Sequence, residues 1–516
     1  MIQEERNNRI ALNALFLYLR MFLAMGISFY TSRLLLQVLG VEDFGIINIV
    51  YSLIILFTIF TSAFSNVLQR YLNIELEKEN FQKANLIFCM VFWTCLIVSL
   101  IILGGTALLG EWLLVHKLTI PVSKLPSTQI LFYCLVVSVF LQVNQIPWQS
   151  AVIAREHMSF FAFAGLGDAF MRLCIAVYLC HMEHADKLIL YGWLFLFMTF
   201  VTTCLYVGYS LSALPETRLR LCWDKTLLKA MSPFFLFNLF GGIAWNIGYE
   251  GLNLLLNSFF GPAVTAARAI SLQIYSAISR FCENFLFAMK PQLIKSYAAE
   301  EYHYVYNLLV TSSKLSFYLM LFLVIPIMAE TNYVLVLWLR VVPEYTVVFT
   351  RIVLLNALLL PLMNPLSLIN NATGRNKNQE IYGRLITLSS LPVAYLFLKF
   401  NFSPITPVVI WFLVQTLTGL YWLYDVKRQL RFCWKNYIFS VWMPISICCC
   451  LISLPVSMIT LFMPESFWRL LIVEIIVLIF GGLITYLIGL NHAEKCFLHK
   501  LTLNSINFFK NINRKS

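Results

Sequence analysis

Apolar positions along the chain come in long unbroken runs, parted by short polar stretches. The runs lie near 11–37, 46–69, 84–108, 128–150, 159–181, 188–210, 233–257, 263–289, 306–328, 346–369, 381–399, 404–424, 438–461 and 468–490. A helix needs about 20 apolar residues to cross the hydrocarbon core of a bilayer. Each run meets or approaches that length. A membrane barrel would instead alternate apolar and polar residues over about ten positions. Only helices and closed barrels satisfy their backbone polar groups inside lipid. The pattern therefore predicts an all-α polytopic membrane protein with about fourteen transmembrane helices.

Composition sharpens this picture. The chain has 516 residues, of which 60% are hydrophobic and 12% charged, and a mean hydropathy of +0.78. Soluble domains carry about 25% charged residues, so a large soluble enzyme is excluded. Disorder demands low hydrophobicity and high charge, and is excluded too. The net charge of +12 suits cytoplasmic loops rich in Lys and Arg better than a nucleic-acid partner. With the N-terminus inside, inward segments hold about 24 Lys and Arg, outward loops about 6 and spans about 7. That bias supports an even number of spans and both termini in the cytoplasm. The tail, 491–516, with Lys495, Lys500, Lys510, Arg514 and Lys515, is then a basic anchor touching anionic lipid. The polar start and the long run after it argue against a cleavable signal peptide. The 13 cysteines lie mostly in apolar runs without CxxC spacing, and read as small buried side chains.

The basic stretch 211–232 reads as a cytoplasmic linker. An internal echo flanks it. Leu34-Leu35-Leu36-Gln37-Val38-Leu39-Gly40 is matched by Leu254-Leu255-Leu256-Asn257-Ser258-Phe259-Phe260-Gly261. Each ends the first helix of its half and is followed by a turn and a second helix. The echo predicts an N-terminal six-helix lobe over 1–210, a C-terminal six-helix lobe over 233–424 and two extra helices over 425–490. Transporters built from such repeats bind substrate between them.

Charges inside spans are costly and mark function or pairing. Those present include Arg20, Arg33, Asp168, Arg172, Glu250, Arg268, Arg280, Glu283, Lys314, Arg351 and Glu474. Excess Arg suits an anionic passenger, because a guanidinium can hold two phosphate oxygens at once. Arg20, Arg33, Arg172, Arg268, Arg280 and Arg351 are thus candidates to line a cationic cavity. Asp168, Glu250 and Glu283 are candidates to couple an ion. A structural use competes in several cases. Asp168 with Arg172, at i, i+4, and Arg280 with Glu283, at i, i+3, can neutralise each other. Arg33 and Arg351 can snorkel from span ends. Arg20, Arg268 and Glu250 lack a local partner. The eighth span carries Arg268, Ser271, Tyr275, Ser279 and Cys282 on one face, and Gln273, Arg280 and Asn284 on another. Polar on two sides, it is expected beside a water-filled space. His181 and His184 flank Glu183 without a third ligand, so a solvated loop is expected there. No cofactor, metal or ATP-binding domain is implied, and no catalytic centre.

The stretch Ser32-Arg33-Leu34-Leu35-Leu36-Gln37-Val38-Leu39-Gly40-Val41-Glu42-Asp43-Phe44-Gly45 resembles the entry of polysaccharide repeat-unit (O-antigen-type) flippases. Phe260-Gly261-Pro262, Ala266-Ala267-Arg268 and Lys290-Pro291-Gln292-Leu293-Ile294-Lys295-Ser296-Tyr297 resemble the same group. That group belongs to the multidrug/oligosaccharidyl-lipid/polysaccharide (MOP) exporter superfamily and is MATE-like. The resemblance implies two lobes in an inverted-V arrangement around a cationic central cavity. It implies alternating access for a polyprenyl-diphosphate-linked oligosaccharide, with the bilayer, glycosyltransferases and a polysaccharide polymerase as partners. It gives Arg33 and Arg268 a cavity or gate role. A drug exporter of MATE type would be expected to carry an acidic residue in the first span, and 11–37 has none. A lipid II flippase, such an exporter, a membrane enzyme and a scaffold are the alternatives weighed.

Overall fold

The computed structural model describes residues 2–55, 60–155, 157–182, 186–373, 378–430, 432–492 and 494–495. The helices in chain order are α1 (Ile2–Ile55), α2 (Phe60–Glu77), α3 (Phe81–His116), α4 (Leu125–Ala154), α5 (Met158–His181), α6 (Lys187–Ala213), α7 (Lys225–Phe260), α8 (Pro262–Ala298) and α9 (Tyr302–Ala329). They continue with α10 (Thr331–Leu339), α11 (Thr346–Ala357), α12 (Leu360–Thr373), α13 (Arg384–Leu388), α14 (Ser390–Lys399), α15 (Ile405–Leu430), α16 (Trp434–Tyr437), α17 (Met443–Phe462) and α18 (Phe467–Ile484). Among the described residues there are eleven helices long and apolar enough to cross a membrane. They coincide with eleven of the fourteen runs in the sequence. The other three runs fall on the end of α1 with α2, on α7 and on α8. A count of fourteen is compatible with this.

The chain forms two compact units. One comprises 1–269, 338–345 and 388–407; the other comprises 270–337, 346–387 and 408–516. Ile46, Ile49, Val50, Leu68, Phe88 and Phe132 fill the core of the first, and Leu309, Tyr318, Ile369, Val441, Ile452 and Val473 that of the second. The units part within α8 rather than in the basic stretch, because α7 packs on α1 and α2. The stretch after α6 is also fastened down. Glu216, almost fully buried, takes both ends of the Arg155 guanidinium at 2.6 and 2.9 Å. Asn85 donates to the Glu216 and Arg218 carbonyls at 2.8 and 2.7 Å, and the Trp93 indole donates to the Arg220 carbonyl at 3.0 Å.

The internal echo has a backbone counterpart. Gly40 breaks α1 at φ 78°, ψ 173°, and Gly261 ends α7 at φ 82°, ψ −175°. Both lie in a region of backbone space that is essentially open to glycine alone. The two turns also meet. A Cβ on Gly45, which closes the Asp43-Phe44-Gly45 motif, would stand 2.0 Å from the Pro262 carbonyl oxygen. Asp43 itself is ion-paired with Lys124. The motif residues thus set a close helix-end contact within one unit.

Candidate functional site

Within the first unit, α1, α4, α5 and α6 enclose a cavity of about 390 Å³. Ligand sites span about 300–1,000 Å³, so the space suits a small molecule or part of a larger one. One wall is the face of α4 that carries Gln142, Gln145 and Gln149. Their i, i+3, i+7 spacing puts all three on one side of the helix. α6, packed beside α4, adds Thr199, Thr202 and Tyr206. Tyr51 enters from α1, and Ala164 and Gly165 keep the α5 side low.

The charge in the cavity is one pair on α5. The Arg172 Nε donates to Asp168 Oδ2 at 3.0 Å. The guanidinium also lies over the Phe195 ring, 5.0 Å from its centre. The side chains remain 39% and 34% exposed, so the pair faces the cavity rather than being sealed. Arg172 also borders a smaller space of about 170 Å³, lined in part by Ser28, Thr31, Ser32 and Tyr191. The i, i+4 spacing in the sequence is realised as contact. The lining charge sums to zero, so this cavity is polar rather than cationic.

The other candidates fall elsewhere. Arg20 lies on α1, and its side chain is outside the described residues. Arg33, on the same helix, is half-buried. Arg268 is buried at 3% exposure and donates to the Tyr249 carbonyl at 3.1 Å, with its guanidinium 5.9 Å from the Tyr249 ring centre. Glu250, also buried, accepts from Asn253 at 2.8 Å, and the Asn253 amide reaches Ser52 at 3.0 Å. Arg351 is exposed on α11. Arg280 and Glu283 are exposed on α8 and do not close the ion pair that their spacing allows. Glu183 and His184 lie outside the described residues.

One expectation is corrected. The face of α8 with Ser271, Ser279 and Cys282 does not border water; all three are buried. Ser271 pairs with the Thr350 hydroxyl at 3.1 Å, and Ser279 donates to the Tyr275 carbonyl at 2.7 Å. Small hydroxyls can satisfy themselves within or beside a helix, so a polar stripe is no proof of a wet one. Sequence reasoning also missed the glutamine face. Its signal was present, as three amides at helical spacing inside an apolar run.

No protein-family model matches the chain, and no curated protein matches it. Solved structures do. An inward-facing multidrug resistance MATE family transporter of the MOP superfamily superposes with a TM-score of 0.67 at 13% identity, over 80% of this chain and 94% of that one. The lipid II flippase MurJ, in an inward closed conformation, superposes with a TM-score of 0.69 at 12% identity, over 92% and 99%. The fold is MATE-like. A MOP superfamily transporter from Pyrococcus furiosus, whose binding pocket is described as reversed in polarity, gives 0.61 at 12% identity, over 81% and 95%. These identities speak to fold. Within the MATE-like fold, the cavity and its ion pair lie in a chain whose described residues include eleven apolar helices of spanning length.

Proposed function

We propose that this chain is a flippase that moves polyprenyl-diphosphate-linked oligosaccharide repeat units across the bacterial inner membrane for surface polysaccharide assembly. The reading rests on the Arg172–Asp168 pair, which faces a polar cavity among apolar helices. An ion pair sealed among side chains is closed to ligands; one left open to a cavity is accessible to them. A diphosphate carries the oxygens that a guanidinium fork prefers. It can compete with the Asp168 carboxylate for Arg172 as it enters.

The driving force fits an anion. An inside-negative potential moves negative charge outward with about 2.3 kcal/mol per charge per 100 mV. A diphosphate with about two charges gains roughly 4–5 kcal/mol per 100 mV when it crosses without a counter-ion. Both termini in the cytoplasm, glycosyltransferases supplying the lipid-linked unit and a polymerase consuming it complete the proposal. Alternating access between two lobes is the expected mode. Arg33 and Arg268 retain the cavity or gate role that the motif resemblance gives them, and Asp168, Glu250 and Glu283 the ion-coupling role.

Flipping lipid II is the second reading. It is favoured by one observation: the flippase structure covers 92% of this chain, against 80% for the MATE transporter. The test is a strain lacking the chain, in which surface polysaccharide and lipid-linked repeat units are quantified together. Lost polysaccharide with repeat units held on the inner leaflet supports the proposal. Unchanged levels of both, with lipid II accumulating, favour the second reading. Restoring Arg172→Gln in that strain is expected to reduce surface polysaccharide at least tenfold at normal protein abundance. Full export by Arg172→Gln would remove the ion pair from the argument.

A further inference from the structure

The glutamine face of α4 has no structural employment that accounts for it. Gln145 Oε1 accepts from the Thr203 hydroxyl at 3.2 Å, which fixes that one amide. Among the described residues, Gln142 and Gln149 meet no hydrogen-bonding partner, yet both line the cavity. An amide in a spanning helix costs free energy unless it is satisfied by a neighbour, by water or by a ligand. Three such amides stand on one face of a helix whose flanking residues, Val139 and Ile146, are apolar.

We infer that this face is a saccharide-reading wall: Gln142, Gln145 and Gln149 bind the hydroxyl and amide groups of the glycan while Arg172 attends to its phosphate. This rests on the flippase reading given above, and assigns the sugar half of the same cargo. The chemistry of the wall selects among ligand classes. Each glutamine amide offers both donors and an acceptor, which matches hydroxyls that also do both. On the neighbouring α6, Thr199 donates to the Phe195 carbonyl at 2.9 Å and Thr202 to the Thr199 carbonyl at 3.0 Å. With their hydrogens spent on the helix, these two lining hydroxyls can only accept. The rings of Tyr51 and Tyr206 add flat apolar surface. A cationic drug would call for an unpaired carboxylate, but Asp168 is engaged by Arg172. A bare polyphosphate would call for further cations, and none lines this space. A neutral, hydroxyl-rich group is what remains.

The experiment uses the full-length chain in proteoliposomes with two probes. One is a polyprenyl diphosphate carrying an oligosaccharide, and the other is the same lipid carrying a single sugar. The variant is Gln142→Leu with Gln149→Leu, which makes the helix more apolar and leaves insertion intact. Loss of two ligand hydrogen bonds is expected to slow the oligosaccharide lipid by about tenfold or more. The single-sugar lipid should slow by less than about threefold, whereas Arg172→Gln should slow both. Equal slowing of both lipids by the double glutamine variant, or no slowing of either, overturns the inference. If the wild type moves neither lipid, the flippase reading has failed, and calorimetric titration of the purified chain with the free oligosaccharide decides the wall alone. Binding weakened about tenfold in the double variant supports it; no binding, or equal binding, overturns it.

Discussion

Arg172 and Lys314 are both cations in apolar helices, yet one looks into a cavity and the other into a sealed carboxylate. Lys314 Nζ meets Glu494 Oε2 at 2.7 Å, with the two side chains 3% and 2% exposed. The same carboxylate accepts the Asn491 N–H at 2.8 Å. The second unit repeats this closure. Arg469 pairs with Glu330 at 2.6 Å and donates to the Met463 carbonyl at 2.7 Å. Asn370 donates to Gln379 at 2.7 Å and accepts from Gln429 at 2.7 Å. The small space beside Leu362, Met363 and Leu423 in that unit is mostly apolar, with the amide of Gln415 and the hydroxyl of Thr416 at its edge. In the first unit, by contrast, Gln142, Gln149 and the Asp168–Arg172 pair line an open cavity. Counting intramembrane charges therefore does not locate a site. What separates Arg172 from Lys314 and Arg469 is whether the ion pair is open to a cavity or closed off.

The strongest way to break this comparison is to open a sealed pair. Lys314→Met leaves Glu494 buried without its cation. Breaking one partner of a buried pair costs about 3–5 kcal/mol, so the variant should lose most of its folded abundance, read by thermal unfolding in detergent. Lys314→Met with Glu494→Leu should recover most of the loss, because an apolar pair of similar volume is often neutral or better. A double variant as unstable as the single would show that the pair does more than neutralise itself.

Next in size are the turns that join helices in the first unit. Gly45→Ala drives a methyl against the Pro262 backbone, and overpacking of this kind costs about 1–3 kcal/mol. Gly40→Ala and Gly261→Ala force a side chain into the glycine region of backbone space, at about 1–3 kcal/mol each. Near-equal losses at Gly40 and Gly261 are expected from their matching angles. Unequal losses, by more than about 2 kcal/mol, would mean that the echoed turns bear different loads.

These features differ in how far the sequence announces them. Spans are legible because continuous apolar runs admit few alternatives, and the echoed glycines are legible because each ends a leucine-rich helix. The Asp168–Arg172 contact follows from i, i+4 spacing alone. Lys314 and Glu494 are 180 positions apart, so no local pattern joins them. Arg268 looked unpartnered because the group it meets is a backbone carbonyl, Tyr249 O, which any residue carries. The hydroxyl stripe of α8 misled for a related reason: serine and threonine can spend their hydrogen bonds on their own helix. Glutamines reach too far for that economy, which makes Gln142, Gln145 and Gln149 the more telling stripe.

The smallest stability change is expected where the functional change is large. Asp168→Asn removes the charge partner of Arg172 but keeps the shape and one acceptor oxygen. The pair is more than a third exposed on the Arg172 side, and accessible ion pairs contribute about 0–1 kcal/mol. Unfolding should therefore shift by less than about 1 kcal/mol, several times less than for Lys314→Met. Arg172, freed from competition, should then hold a diphosphate more tightly. Tighter binding of the entering cargo slows its release, so translocation in proteoliposomes should saturate at lower substrate and reach a lower maximum. A destabilisation as large as that of Lys314→Met would place Asp168 with the sealed pairs of the second unit, and the cavity would lose the feature that distinguishes it. An unchanged substrate dependence at unchanged stability would mean that the diphosphate does not compete for Arg172, and the anion would have to be held by other arginines.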